Sequence, residues 1–303
     1  MSGADTHYPL LRSNFTGTYI VNYLQDILPF IQHLSDRVGE QLLKDFEQVR
    51  IAEQKSDGSL VTKSDRWADE YIKTALQTEF PNFAVLTEES ARTLPHTEWC
   101  WVVDPLDGTT NFARGIPIWA ISLGLLHYGV PVFGFVSIPP LRHSLYGWFT
   151  EADRDHQGAN AAFLNGHPLQ VNSAPPLLTN LGSHLFSSCS RSLEAIPFGM
   201  HTAATTKLPA KLRMLGVASY NLLTVATGAT IAAVEATPKI WDIAAAWAIL
   251  QAAGAIWIPL ESQPIFPLEF GKNYSDRNFP TLVVSHTELL PIFHPLVSPL
   301  LRN

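Results

Sequence analysis

The sequence predicts an α/β chain, and three observations carry that reading. Two stretches near the amino terminus place apolar residues at helical spacing, and an alanine-rich run near the carboxyl terminus does the same. Between them lie short β-branched and aromatic runs separated by glycine, proline and asparagine turns. At 303 residues the chain can bury a large core, as one layered domain or as two intimately packed halves. A hydrophobic fraction of 46% beside 16% charged residues describes a compact soluble protein. The net charge of -7 leaves no basic footprint for nucleic acid and nothing to draw the chain to an anionic membrane. Cys100 and Cys189 are far apart and form no Cys-x-x-Cys, so neither a disulfide framework nor a zinc ribbon is expected, and a reducing cytoplasm fits best. The amino terminus lacks a secretory pattern. The apolar runs at 116–126 and 243–258 are short or interrupted, so no membrane-spanning helix is expected.

Residues 1 to about 17 are polar, without periodicity, and are expected to be loosely held. From Tyr19 to about Val49, Ile20, Tyr23, Leu24, Ile27, Ile31, Leu34, Val38, Leu42 and Phe46 recur at three- and four-residue spacing, which predicts an amphipathic helix bent near Pro29. A polar turn-rich stretch from Lys55 leads to a second helical pattern through Trp67, Tyr71, Ile72, Ala75 and Leu76, with Asp65 in its first turn. Phe83–Leu86 reads as a short strand delivering Thr87-Glu88-Glu89-Ser90, where one acid of the pair can point inward while the other faces solvent. Segments 118–128, 132–138 and 144–150 predict an antiparallel meander, and Asn165-Gly166 a hairpin within 162–172. Arg154 and Asp155 read as loop-tip residues. In the second half, strands are expected from Leu178 to about His184, at 230–235, at 255–258 and at 280–285. Residues 190–210 read as an irregular surface excursion, Leu222–Thr227 as a short helix, and Trp241–Ala253 as a helix stopped by Gly254.

The most informative stretch is Trp99 to Phe112, WCWVVDPLDGTTNF. Its apolar half has the content of a buried strand, and Asp-Pro-x-Asp-Gly supplies the chemistry that ends one. Asp104 and Asp107, three residues apart at the end of a rigid strand, are well placed to share a cation. Gly108, Thr109 and Thr110 follow with backbone N–H groups and hydroxyls suited to an anion. Asp65 and Asp242 each open a helical pattern, where an acid is favourable whatever else it does.

The run DPLDGTT, with LVTKSD ending in Asp65, TEES at 87–90 and WDIAAAW around Asp242, resembles the motifs of the inositol monophosphatase family, in that family's order and spacing. The resemblance covers about Tyr19 to the carboxyl terminus. It implies a layered α-β-α-β(-α) sandwich of the inositol monophosphatase and fructose-1,6-bisphosphatase type, a single domain over residues 1–303 with halves at about 19–172 and 173–303. Glu88, Asp104, the Leu106 carbonyl, Asp107 and Asp242 are the implied metal ligands. Four clustered carboxylates repel one another unless cations are present, and an oxygen-only donor set suits Mg²⁺, with Mn²⁺ as a substitute, rather than Zn²⁺. The histidines are scattered, with no paired spacing on one helical face.

By the same resemblance, Glu88 helps activate the attacking water and Thr109 paired with Asp65 forms a second activating pair. Lys55 lies on a mobile loop preceding them. The backbone N–H groups of Gly108 and Thr109 hold the phosphate, and Asp107, Thr110, Ala218 and Glu235 lie on the substrate side. The implied reaction is hydrolysis of a small phosphorylated polyol or sugar, inositol 1-phosphate first, with histidinol phosphate, fructose 1,6-bisphosphate and 3'-phosphoadenosine 5'-phosphate as alternatives. A catalytically idle metal-binding relative, regulatory or scaffolding, is the alternative of another class. A cytoplasmic homodimer is expected. Thr87 stands in place of the family's usual glycine, and two further departures stand out: Val217 and Ile231 stand where relatives carry Ser or Thr and Asp, which removes polar groups near the expected substrate region.

Overall fold

The computed structural model describes residues 17–48, 52–54, 60–151, 160–188 and 209–297. The expectations for residues 1–16, Lys55, Arg154, Asp155 and 190–208 lie outside the described residues.

Helix α1 (Gly17–Phe46) runs continuously through Pro29. The apolar stripe from Leu24 to Leu42 is buried as its spacing predicts. Strands β1 (Ala52–Gln54) and β2 (Leu60–Thr62) pair antiparallel and lead into α2 (Lys63–Glu79). Strands β3 (Ala84–Thr87) and β4 (Trp99–Asp107) follow, then the short helix α3 (Thr109–Arg114). The meander is β5 (Ala120–His127), β6 (Val130–Ile138), β7 (His143–Trp148), β8 (Ala161–Leu164) and β9 (His167–Pro168). The second half adds β10 (Leu185–Ser188), β11 (Lys211–Arg213), α4 (Ala218–Leu223), β12 (Ala232–Glu235), α5 (Ile240–Ala252), β13 (Ile256–Pro259), β14 (Thr281–Val284) and α6 (Leu290–Val297).

Among the described residues the longer sheet has the order β3-β4-β5-β6-β7-β8-β9, parallel at β3/β4 and antiparallel beyond. The other large sheet has the order β11-β10-β12-β14-β13. Strand alternation divides the side chains among three cores. Trp101 and Val103 of β4 pack with α1 and α2, while Cys100 and Val102 face α4 and α5. Ala233 and Val283 close that same middle core from the second sheet, and Phe186, Val234 and Leu282 turn outward to Phe293 and Val297 of α6. The result is the α-β-α-β-α sandwich that the sequence motifs imply. No helix among the described residues is long and apolar enough to cross a membrane.

Two expectations change. Leu178–Ser183 is a 3-10 segment, and the strand begins only at Leu185. The helix expected at 222–227 lies at Ala218–Leu223 instead, starting four residues earlier because its first N–H groups find acceptors on Asp107, and giving way to turn from Thr224. Beyond the strand end expected at Asp107-Gly108, residues 109–114 form a helical turn and a half. Helix α6 went unread because Pro291 and Pro295 interrupt its pattern.

Helix α5 is apolar on every side, with Ala244, Ala245, Ala246 and Ala248 all buried between the sheets. It lies unusually close to the longer sheet. Gly124 and Gly134 face each other on β5 and β6. A Cβ on Gly124 would come within 2.9 Å of the Ala245 nitrogen, and one on Gly134 within 2.1 Å of the Ala245 carbonyl oxygen. Backbone cannot yield as a side-chain tip does. Gly134→Ala is therefore expected to cost at least the upper end of the roughly 1–3 kcal/mol typical of overpacking. Gly182→Ala, whose Cβ meets nothing, should stay within about 0.5 kcal/mol of the unsubstituted protein. Urea melts of the two variants test this, and equal midpoints would mean that α5 does not bear on the sheet.

Candidate metal centre

Strand β4 delivers two acids to one place because its end is irregular. Residues three apart on a regular strand point to opposite faces. Between the Asp104–Ser122 and Asp107–Ala120 pairs the register shifts, which turns both carboxylates toward the middle layer. Gly108 then takes a left-handed conformation (φ 92°) and starts α3. A Cβ there would press to 2.7 Å from the Val217 methyl group, so only glycine fits.

Asp242 arrives from the opposite layer, in the first turn of α5, which is tied to β5 by a hydrogen bond from the Ser122 hydroxyl to the Trp241 carbonyl at 3.2 Å. One carboxylate oxygen from each of Asp104, Asp107 and Asp242 lies within 4.8 Å of the others. The chain holds each acid by its own N–H groups. Leu106 N–H donates to Asp104 Oδ1 (3.0 Å), Lys239 N–H to Asp242 Oδ2 (2.6 Å), and Ala218 N–H to Asp107 Oδ1 (3.1 Å). Asp107 Oδ2 accepts from both the Ser219 N–H (2.8 Å) and the Ser219 hydroxyl (2.6 Å).

Burial raises all three carboxyl groups above their ordinary values. For Asp104 the rise is large and is reinforced by repulsion from Glu88, Asp107 and Asp242. Asp242 rises as well, with Asp107 and Glu88 adding to burial. At Asp107 the Ser219 and Ala218 donors oppose the effect of burial. Two buried acids and a half-buried third that repel one another could hold a cation, and the donors are oxygens throughout, which fits a hard divalent ion.

Glu88 stands at the end of β3, half-buried, and its charge is felt at Asp104 and Asp242. Its loop is braced by Thr87, whose hydroxyl accepts from Ser90 N–H (3.1 Å) and Ala91 N–H (3.2 Å). Thr87 thus supplies a cap to the turn. On the other flank, Asp65 joins a capping box at the start of α2 with Thr62. Its second oxygen accepts from the Thr109 hydroxyl at 2.8 Å, and Thr109 Oγ1 also lies 3.1 Å from the Leu106 carbonyl. Burial raises Asp65, against the lowering effect of the Thr62 and Thr109 hydrogen bonds. Thr110 is exposed beside them.

The substrate-side expectations fare differently. Glu235 is 3% exposed, not a surface acid, and accepts from Asn221 Nδ2 at 2.7 Å. Asn221 in turn accepts from the Ser187 hydroxyl at 2.8 Å. Ala218 contributes its N–H to Asp107. Val217 is buried against Gly108, and Ile231 packs in the outer core with Phe186 and Phe293. Sequence reasoning missed Ser219, Thr62 and Asn111, and it noted Thr87 only as a departure, without its bracing role. Asn111 Nδ2 bridges the Ile118 and Leu215 carbonyls (2.8 and 2.7 Å), and Gly216 leaves room for its amide. Ser219 and Asn111 find partners 112 and 104 residues away, so no local pattern announces them, whereas Thr62 and Thr87 bond within four residues and could have been read from the capping box Thr62-x-x-Asp65 and from the turn after β3.

Raised carboxyl values mean that the fold retains protons that the unfolded chain releases. Below the ordinary aspartate value of 3.8 this stabilisation is fully present, and it is lost as pH rises through the raised values. A divalent cation replaces those protons. The rise in melting temperature on adding millimolar Mg²⁺ should therefore be larger at about pH 8 than at about pH 5, and a pH-independent rise in a thermal melt would refute the assignment.

The family model described as the inositol monophosphatase family matches residues 24–288. The inositol monophosphatase of Mesembryanthemum crystallinum is 32% identical over 241 residues, which cover 77% of this chain and 85% of that protein. The histidinol-phosphatase of Mycobacterium tuberculosis is 32% identical over 227 residues, covering 73% and 82%. Among solved structures, the IMPase of Thermotoga maritima superposes with a TM-score of 0.69 at 25% identity, covering 91% of this chain and 99% of the other.

Proposed function

Because the chain belongs to the inositol monophosphatase family of phosphomonoesterases, we propose that it hydrolyses a phosphate monoester of a small polyol or sugar with Mg²⁺, inositol 1-phosphate being the first candidate. The observation that carries this reading is the convergence of Asp104, Asp107 and Asp242 from two layers on one point. We read the whole chain as one catalytic domain, since no half holds all three acids.

Asp104, Asp107, Asp242, the Leu106 carbonyl and Glu88 are the groups that would hold the cation. Bound Mg²⁺ supplies charge neutralisation of the ester, a more acidic water and a stabilised leaving oxygen. Mn²⁺ has the same preference for oxygen donors and would substitute. The chain's own residues do the rest. With its proton given to Asp65, the Thr109 oxygen accepts a hydrogen bond from the attacking water and orients it. Glu88, across the cluster, takes up a proton as that water is consumed. The N–H groups of Gly108 and Thr109 precede or open α3, where no helical carbonyl reaches them, and they hold phosphate oxygens. Thr110 extends this edge toward solvent.

Glu235 and Ala218 frame the side on which the alcohol sits. Relatives named for inositol phosphate and for histidinol phosphate match at the same identity, so histidinol phosphate stands beside inositol 1-phosphate. Fructose 1,6-bisphosphate and 3'-phosphoadenosine 5'-phosphate complete the panel. Phosphate release measured with Mg²⁺ on these four esters should rank one well above the others. Metal binding without turnover of any ester would instead make the chain a binding protein. Asp104→Asn should lower turnover on the order of a hundredfold or more while leaving the circular dichroism spectrum unchanged. Wild-type turnover of that variant at low Mg²⁺ would remove Asp104 from the metal site.

A further inference from the structure

Helix α4 starts without a side-chain cap, because its N-cap residue is Val217. Serine, threonine, aspartate or asparagine ordinarily stands at such a position and satisfies the first N–H groups. Here the acceptor comes from 111 residues away: the Ala218 N–H reaches Asp107 Oδ1 (3.1 Å) and the Ser219 N–H reaches Oδ2 (2.8 Å). The Ser219 hydroxyl adds a third bond, again to Oδ2, at 2.6 Å. Ser219 is fully buried, so no water competes for that hydroxyl.

An ionised carboxylate offers about four acceptor positions, two on each oxygen. Ser219 occupies both on Oδ2. Ala218 occupies one on Oδ1 and leaves one unused among the described residues. We propose that Ser219 is a positioning residue for the metal centre: it saturates Oδ2, fixes the carboxylate plane, and presents Oδ1 of Asp107 as a one-point ligand toward Asp104 and Asp242. The inference rests on the metal reading of the site. Ser219 itself touches neither cation nor substrate, and its effect passes through Asp107.

The test is Ser219→Ala, with Ser187→Ala as control. The Ser187 hydroxyl is equally buried and bonds to Asn221 on the same helix, but has no tie to Asp107. Mn²⁺ is titrated into the cation-free full-length proteins and the free ion is followed by electron paramagnetic resonance. A lost hydrogen bond to a charged group predicts about tenfold weaker Mn²⁺ binding for Ser219→Ala and little change for Ser187→Ala. The Mg²⁺ concentration giving half-maximal phosphate release should rise by a similar factor, with kcat at saturating Mg²⁺ held within about twofold. Near-UV circular dichroism establishes that each variant is folded. Unchanged Mn²⁺ affinity in Ser219→Ala overturns the inference alone, as does equal weakening in both variants, which would mean that α4 has merely loosened. If the unsubstituted protein binds no Mn²⁺, the metal reading falls and this inference with it.

Discussion

Gathering Asp104, Asp107 and Asp242 within 4.8 Å of one another is costly, and the rest of the structure is arranged to sustain it. Each buried charge loses hydration, and each repels the other two. An isolated strand end or helix start would relieve both costs by swinging its carboxylate into water. Here that escape is closed. The N–H groups of Leu106, Lys239, Ala218 and Ser219 hold the acids, and each of those groups sits in backbone that the sheets and helices make rigid. On the proposed function, the remaining repulsion is what a divalent cation would relieve.

That rigidity comes from the middle layer. Helix α5 has no polar face, so it is stable only with apolar surface on all sides, and the two sheets supply it. Paired glycines on β5 and β6 let its backbone settle against the strands. The depth of that contact sets how far Asp242 reaches toward β4. Sheet spacing, which is ordinarily a matter of core packing, in this fold also sets the separation of Asp242 from Asp104 and Asp107.

Much of this was legible in the sequence. Helical periodicity located α1, α2 and α5, and the turn residues located the meander, because those signals are local. Asp65, Glu88, Asp104, Asp107, Thr109 and Asp242 were legible as a set only through four motifs in a fixed order. What escaped had non-local causes. Nothing around Ser219 distinguishes it from an ordinary helical serine, since its meaning lies in Asp107 on another element. Helix α4 starts early because an acid from β4 caps it, and no propensity scale sees that acid. Glycine inside a strand ordinarily weakens it, and only the register shows Gly124 and Gly134 facing each other beneath α5.

The junction of β4 and α3 therefore carries two ties in opposite directions. Thr109 reaches outward through Asp65 to the outer helices, and Asp107 reaches inward through Ser219 to α4. A separation of two residues on the chain thus links the Thr109 hydroxyl, which Asp65 of the first half holds, to the acid that the second half holds. If α4 is absent, Asp107 loses three donors and regains freedom to turn toward solvent. If α2 is absent, Thr109 loses Asp65 and becomes an ordinary hydroxyl at a helix start. Neither half can present the site without the other, so the two sheets must be docked before the three acids and the hydroxyl share one cleft. The sequence around Gly108 is dense in chemistry because both layers are in reach there.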